Sequence, residues 1–479
     1  MTRIGRTTMR RALGTGICAL AMIAATAASH AETLTDTLIS AYRNSNLIEQ
    51  NRAVLRAADE DVAIALSALR PTLDFVASYQ WLDSEATRNP VTDNIQATFG
   101  LVAEILLLDA GQRGLAVDLQ KETVLATREA LVAVEQDVLL EAVQAFFDVA
   151  ASQAFVDIRV NNVRLVQEEL QAARDRFEVG EVTRTDVALA ESRLAEARSL
   201  LAAARGDLAV ARERFRAAVG RYPDGAVTVP STLPETAPTV EEATAISVRR
   251  HPSIRQSQRE VTAREIAADI AGRAYGPSLS LSGRVQVQSD RGGVGLGGVE
   301  TGGGFSDNSS VSLDFRQPLY SGGRLPALER QALARRDQAR ANLHQTTRQI
   351  RQQVGAAWSR VEVSRVQISA TDEQIRAAEI AFEGTREEAR LGARTTLDVL
   401  DAEQDLLDAR GARIDAIATQ YVAIYSLLSA MGLLTVDHLG LGVQTYDPVA
   451  YYNAVRNAPA RSTRQGEALD RVLRSIGRD

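Results

Sequence analysis

Cysteine is all but missing from this chain, and the one residue, Cys18, sits in an apolar, alanine-rich stretch over residues 12–28. Arg3, Arg6, Arg10 and Arg11 precede that stretch and Ser29-His30-Ala31 follow it, which is the order of a secretory leader with small residues at its cut. Cleavage after Ala31 is expected and removes Cys18, so the mature chain has no disulfide or thiol chemistry. Gly16-Ile17 before Cys18 does not make a lipid-attachment motif, so no lipid anchor is expected. The leader is shorter than the roughly 20 apolar residues of a spanning helix, and no other apolar run is long enough to serve.

Histidine is scarce as well. Of four, His30 leaves with the leader, and His251, His344 and His438 lie far apart. Neither metal-ligand spacing nor a nucleophile paired with a base emerges, so no metal, no other cofactor and no enzymatic activity are expected. Loss of the leader takes away four arginines and no acids, moving the formal charge from -7 to -11, and an acidic chain is a poor nucleic-acid partner. Residues 293–298 match a dinucleotide-type glycine pattern but open no helix, and a loop between two strands accounts for them better. Aromatics make up only 5% of the chain while Ala, Glu, Gln and Arg fill long tracts, a composition suited to long helices.

What the sequence does contain is an internal repeat. An offset of 212 residues places Gly180 on Gly392, Asp186 on Asp398, Glu191 on Glu403, Leu194 on Leu406 and Gly220 on Gly432 without a gap. Upstream the offset falls to 206, pairing Ile48 with Ile254, Pro71 with Pro277 and Leu73 with Leu279. The six extra residues of the second copy belong to the glycine-rich stretch over 291–304. The pattern predicts a first copy over 32–222, a Pro-containing linker over 223–238, a second copy over 239–440 and a tail over 441–479.

Each copy reads as helix, strand, turn, strand, long helix, tight turn, long helix. Residues 115–179 contain neither Gly nor Pro and repeat their apolar side chains at helical spacing. Such a helix is about 100 Å long at ~1.5 Å per residue and cannot bury itself alone. Long helices are predicted over about 110–220 and 326–432. They break at Gly180 and Gly392, which supply left-handed caps, and Thr or Asp at 183–186 and 395–398 caps the following helix.

Four segments follow the other period. Leu279, Leu281, Val285 and Val287 alternate with Ser280, Ser282, Arg284 and Gln286, and Leu73, Phe75, Tyr79 and Trp81 with Thr72, Asp74, Ser78 and Gln80. Strands are predicted over about 72–82, 95–105, 277–288 and 309–319. One apolar face per strand fits a membrane barrel, and a half-buried soluble sheet shares the pattern. Four strands are too few to close a barrel, so in lipid their edges must pair with other copies of the chain.

In their order, the duplicated plan, the tips Val179-Gly180 to Thr185-Asp186 and Leu391-Gly392 to Asp401, and the turns Leu108 to Gly111 and Tyr320 to Gly323 resemble the TolC family of outer-membrane channel-tunnels. The likeness runs to about Gly440. It implies a mainly α fold with membrane β: a homotrimer whose strands form one 12-stranded barrel in outer-membrane lipid, continued by a periplasmic α-helical barrel. It implies efflux of small molecules or type I protein secretion, with a periplasmic adaptor and an inner-membrane ABC or proton-driven transporter. A non-pore periplasmic coiled-coil or adaptor protein is the alternative, which would not need two matched pairs of two-faced strands.

Asp398 and Asp401, three apart near a helix start, either complement the helix dipole or, in a three-fold assembly, ring an entrance with carboxylates whose proximity would raise some of their pKa values. The resemblance implies the second, a pore constriction. It also places Arg394 as a gate link to Thr185 and Asp186 of the neighbouring hairpin, and Val179, Gly180, Leu391 and Gly392 as adaptor-docking tips. The chain departs from the family in one closing link: Ala389 stands where a tyrosine pairs with the aspartate at the Asp186 position, and Arg390 beside it offers a substitute. The tail is expected to dock through Tyr446, Tyr451 and Tyr452, with residues 461–479 polar enough to stay mobile.

Overall fold

The computed structural model describes residues 32–82, 94–291, 304–457 and 463–476; the expected leader with Cys18 and the glycine pattern at 293–298 lie outside the described residues. The first copy runs α1 (Leu34–Asn44), α2 (Asn46–Ser67), β1 (Thr72–Leu82), β2 (Asn94–Leu108), α3 (Gln112–Glu178) and α4 (Arg184–Val219). The second runs α5 (Val240–Arg250), α6 (Pro252–Arg273), β3 (Ser278–Arg291), β4 (Gly304–Arg316), α7 (Arg324–Arg390) and α8 (Thr396–Ala430). The tail adds α9 (Pro448–Val455) and α10 (Arg464–Ile476).

Each copy opens with two helices where the sequence pattern suggested one. Ser45 ends α1 and caps α2, its hydroxyl accepting from the Ile48 amide at 3.3 Å. At the matching place His251 Nδ1 accepts from the Ser253 amide at 3.2 Å, and Pro252 starts α6. Gly220 and Gly432 end the last long helix of each copy at φ +84° and +75°. A Cβ on Gly432 would stand 2.7 Å from His251 Cα, and one on Gly220 2.7 Å from Asn44 Cβ. The glycines therefore let each short helical corner seat directly on the end of the long hairpin.

The two 67-residue helices α3 and α7 pair with α4 and α8 as antiparallel hairpins. Middle turns of α3 bury Leu139, Val143, Phe146 and Phe147 against α1, the end of α4 and Tyr421 of α8, whose ring stacks on Phe147 at 4.7 Å. A second core gathers Ile254, Ile350, Val354, Ile424 and Leu427 beside α5.

The four strands form one antiparallel sheet in the order β1-β2-β3-β4. Register aligns Phe75 with Leu101 and Leu101 with Val285, so one face carries rows of apolar side chains. Phe75, Leu101, Val285, Val311, Leu313 and Phe315 are all exposed, and β1 and β4 pair on one side only. β4 stops at Arg316, short of the expected 319, because Pro318 cannot donate to a ladder. Its start at Gly304 is earlier than expected, since pairing with β3 continues to Asp290. No helix among the described residues is long and apolar enough to cross a membrane.

In the tail, Tyr446 and Tyr452 pack on Leu55, Val62 and Val124, and Tyr451 Oη donates to Glu60 at 2.8 Å. Within the polar end of the tail, Arg464–Ile476 is helical: Ala468, Leu469 and Val472 recur at helical spacing and face Ala450, Tyr451 and Ala454 of α9 across a cleft.

Candidate functional site

Both hairpin tips are built by the same local chemistry. After α3, Gly180 takes φ +83°, and its amide and that of Glu181 return to Phe177 and Arg176 carbonyls at 3.0 and 2.9 Å. After α7, Gly392 takes φ +76°, with its amide and that of Ala393 on Ala389 and Glu388 at 3.1 and 2.9 Å. A Cβ on either glycine would meet open space. Val179 and Leu391 beside them are 71% and 85% exposed, so each tip presents one large apolar side chain next to a bare backbone.

Each following helix starts with a capping box. Thr183 Oγ1 accepts from the Asp186 amide at 3.3 Å while Asp186 Oδ2 accepts from the Thr183 amide at 2.8 Å. Thr395 and Asp398 repeat this at 3.2 and 2.9 Å. The Thr395 amide and hydroxyl, helped by the Arg394 charge, hold the Asp398 carboxyl below its ordinary range. Within one chain, hydrogen bonds to the charged form govern Asp398.

Asp401, one turn on, has a partner that the sequence pattern did not reveal. Arg193 Nη2 of α4 lies 3.0 Å from Asp401 Oδ1, joining the first hairpin to the second. Two further ties cross the same seam: Asn162 Nδ2 of α3 donates to Glu403 Oε1 at 2.9 Å, and Arg386 Nε of α7 lies 3.5 Å from Glu169 Oε1. Leu400 fills the space below them against Val166, Leu170, Ala190 and Leu194.

Arg394 Nε bonds Glu388 Oε2 at 3.0 Å within its own tip. Thr185 is exposed on the first turn of α4, and Asp186 is turned to Thr183. Among the described residues of one chain no bond joins Arg394 to Thr185 or Asp186. Ala389 is buried under the second tip, and Arg390 pairs with Glu387 at 3.0 Å.

The family model described as outer membrane efflux protein matches residues 38–221 and 247–433, one segment per copy. The chain is similar to the outer membrane efflux protein BepC of Brucella suis, with 34% identity over 431 residues covering 90% of this chain and 92% of the relative. It is similar to the outer membrane protein TolC of Vibrio cholerae, with 23% identity covering 85% and 92%. Among solved structures it shares the fold of the CmeC outer membrane channel of Campylobacter jejuni, at a TM-score of 0.72 and 19% identity over 89% of each chain.

Proposed function

This chain belongs to the outer membrane efflux protein family, a family of outer-membrane channels and not of enzymes, and from that premise we propose that three copies close one 12-stranded barrel above a hollow periplasmic helical tunnel. The observation that carries this reading is the sheet: four strands expose rows of apolar side chains and leave β1 and β4 each with an open edge. Open edges in lipid leave backbone groups unpaired at a cost of several kcal/mol each, which pairing between copies removes. A non-pore coiled-coil adaptor has no use for such a sheet.

The tunnel leads efflux substrates or type I secreted proteins outward, handed over by an inner-membrane ABC or proton-driven transporter through a periplasmic adaptor. The hairpin tips form its periplasmic entrance. Asp398 and Asp401 of three copies ring that entrance and favour cations, with Arg193 offsetting part of the charge. Arg394 reaches Thr185 and Asp186 of a neighbouring chain to hold the entrance shut, and Val179-Gly180 and Leu391-Gly392 receive the adaptor. Native mass spectrometry of the detergent-extracted protein tests assembly: three chains support it, whereas a soluble monomer overturns it.

A further inference from the structure

A mostly polar cavity of about 810 Å³ lies where the start of α6 meets the end of α8, between α3 and α7. Gln136 of α3, Gln256 of α6, and Gln349, Gln352 and Gln353 of α7 line it. The α7 glutamines stand on the face of their helix turned away from Trp358, which packs on the core beside α5. No described residue of α1, α5, the 223–238 linker or the tail lines the cavity. Those elements cover one side of the helix layer and cannot fill an open bore, so in the proposed trimeric tunnel the cavity opens to the bore.

Two groups at the cavity are held in a state that a ligand would complete. Gln136 is 3% exposed, and its Nε2 has no hydrogen-bond partner among the described residues. A buried donor left unpaired is costly unless something enters to accept from it. His251 Nδ1 accepts from the Ser253 amide, and burial lowers the ring's pKa to about 4, so the ring is neutral with its one proton on Nε2. The α7 glutamines are exposed, their side-chain amides bonded to no other group among the described residues. The repeat does not impose this lining: the 212-residue offset puts Asp137, Leu140 and Glu141 at the places of Gln349, Gln352 and Gln353.

Each glutamine amide offers both a donor and an acceptor, as each peptide group does. Sites for drug-sized molecules are mostly apolar and aromatic. This lining has no Phe, Tyr or Trp among the described residues, and its charged groups, Asp137, Glu260 and Arg360, carry both signs. We propose that the cavity is a holding site in the bore for extended polypeptide: its amide side chains pair with the backbone of an uncharged stretch of an exported chain and then release it onward. The inference rests on the reading of the protein as a tunnel, and it names secreted polypeptide as the substrate that the bore recognises.

Planar-bilayer recordings from purified full-length trimers test it. The probe is a capped, uncharged twelve-residue peptide of alternating glycine and serine, set against polyethylene glycol of equal length, whose chain accepts hydrogen bonds but donates none. The peptide should block the current in events about tenfold longer than those of the polymer, the worth of roughly one net hydrogen bond. Gln349→Met, Gln352→Met and Gln353→Met made together should remove that difference. Methionine keeps the side chain's length and its helix propensity while deleting both polar groups, so trimer yield in native mass spectrometry should hold. Gln136→Met should also shorten the peptide events while raising Tm, because it deletes a donor that the fold alone leaves unpaired.

The holding site is overturned if peptide events last no longer than polymer events, or if the threefold change leaves them as long as before. It is overturned as well if a hydrophobic cation is held longer than the peptide and released by the same change, which would make the cavity a small-molecule site. Channels that conduct while any of these results holds refute the holding site alone. A preparation that opens no channels refutes the tunnel on which it rests.

Discussion

Arg193 on the first hairpin meets Asp401 on the second at 3.0 Å, so one of the two carboxylates assigned to the entrance carries its own counter-charge. The pair is exposed and contributes little to stability, and its consequence is electrostatic. Arg193→Ala should raise cation selectivity in bilayer recordings, because three positive charges leave the entrance. Asp398→Ala with Asp401→Ala should lower it while pore width changes less. Unchanged reversal potentials in both variants would remove the charged-ring assignment.

Asp398 owes its depressed pKa to Thr395, and that fixes the direction of its acid response. A lowered carboxylate pKa means the capping box contributes fully above the ordinary aspartate range and is lost as pH falls through the folded value. Thr395→Val should bring the Asp398 titration, followed by carboxyl NMR or by selectivity against pH, back toward the ordinary range. A titration indifferent to Thr395 would contradict the assignment.

The two classes of repeat glycine should respond differently to the same change. Gly392→Ala adds a methyl group to open space at positive φ, so only backbone strain of roughly 1 kcal/mol follows, and trimer yield should hold. Gly432→Ala also drives the methyl group into His251 backbone and should lower yield and Tm clearly more. A bulky residue at Gly180 or Gly392 should instead abolish export with trimer level normal, measured as efflux in cells. Export that survives both would move adaptor docking elsewhere on the tunnel.

The docked tail has its own pH response through Asp59. That side chain is fully buried in α2, both oxygens lack a hydrogen-bond partner among the described residues, and burial pushes its pKa up to about 6 against the opposing charge of Arg128. Arg128 in turn lies 5.4 Å from the Tyr452 ring, and Arg52 5.3 Å from that of Tyr446. A raised acid pKa stabilises the docked form below the ordinary aspartate range, and that contribution is lost as pH rises through about 6. Protection factors over residues 446–455, with the intrinsic base-catalysed exchange rate divided out, should therefore fall between pH 5 and 7.5, and Asp59→Asn should flatten the change. Higher protection factors at pH 7.5 than at pH 5 would reverse the sign and refute it.

Much of this fold was legible because its rules are local. Alternation from Leu279 to Val287 marks a strand, and Gly180 with Thr183 and Asp186 spells a cap, a break and a restart within seven positions. The repeat offset then doubles each observation. The helical corners at Ser45 and His251 were harder, because a serine or histidine cap inside an otherwise helical pattern leaves the apolar period nearly intact, although Pro252 was a signal. The seam was not legible at all. Arg193 and Asp401 lie 208 residues apart, Asn162 and Glu403 lie 241 apart, and which turns of two long hairpins meet depends on their stagger and not on any local spacing.

Three copies of this open four-stranded sheet are proposed to complete one barrel. Electron cryomicroscopy of the protein in lipid nanodiscs would show whether they do. The expected result is a three-fold particle in which β4 of each chain pairs with β1 of the next, giving twelve strands over a tunnel of α3, α4, α7 and α8. A particle with another number of chains, or a sheet whose β1 and β4 edges remain unpaired, would contradict it.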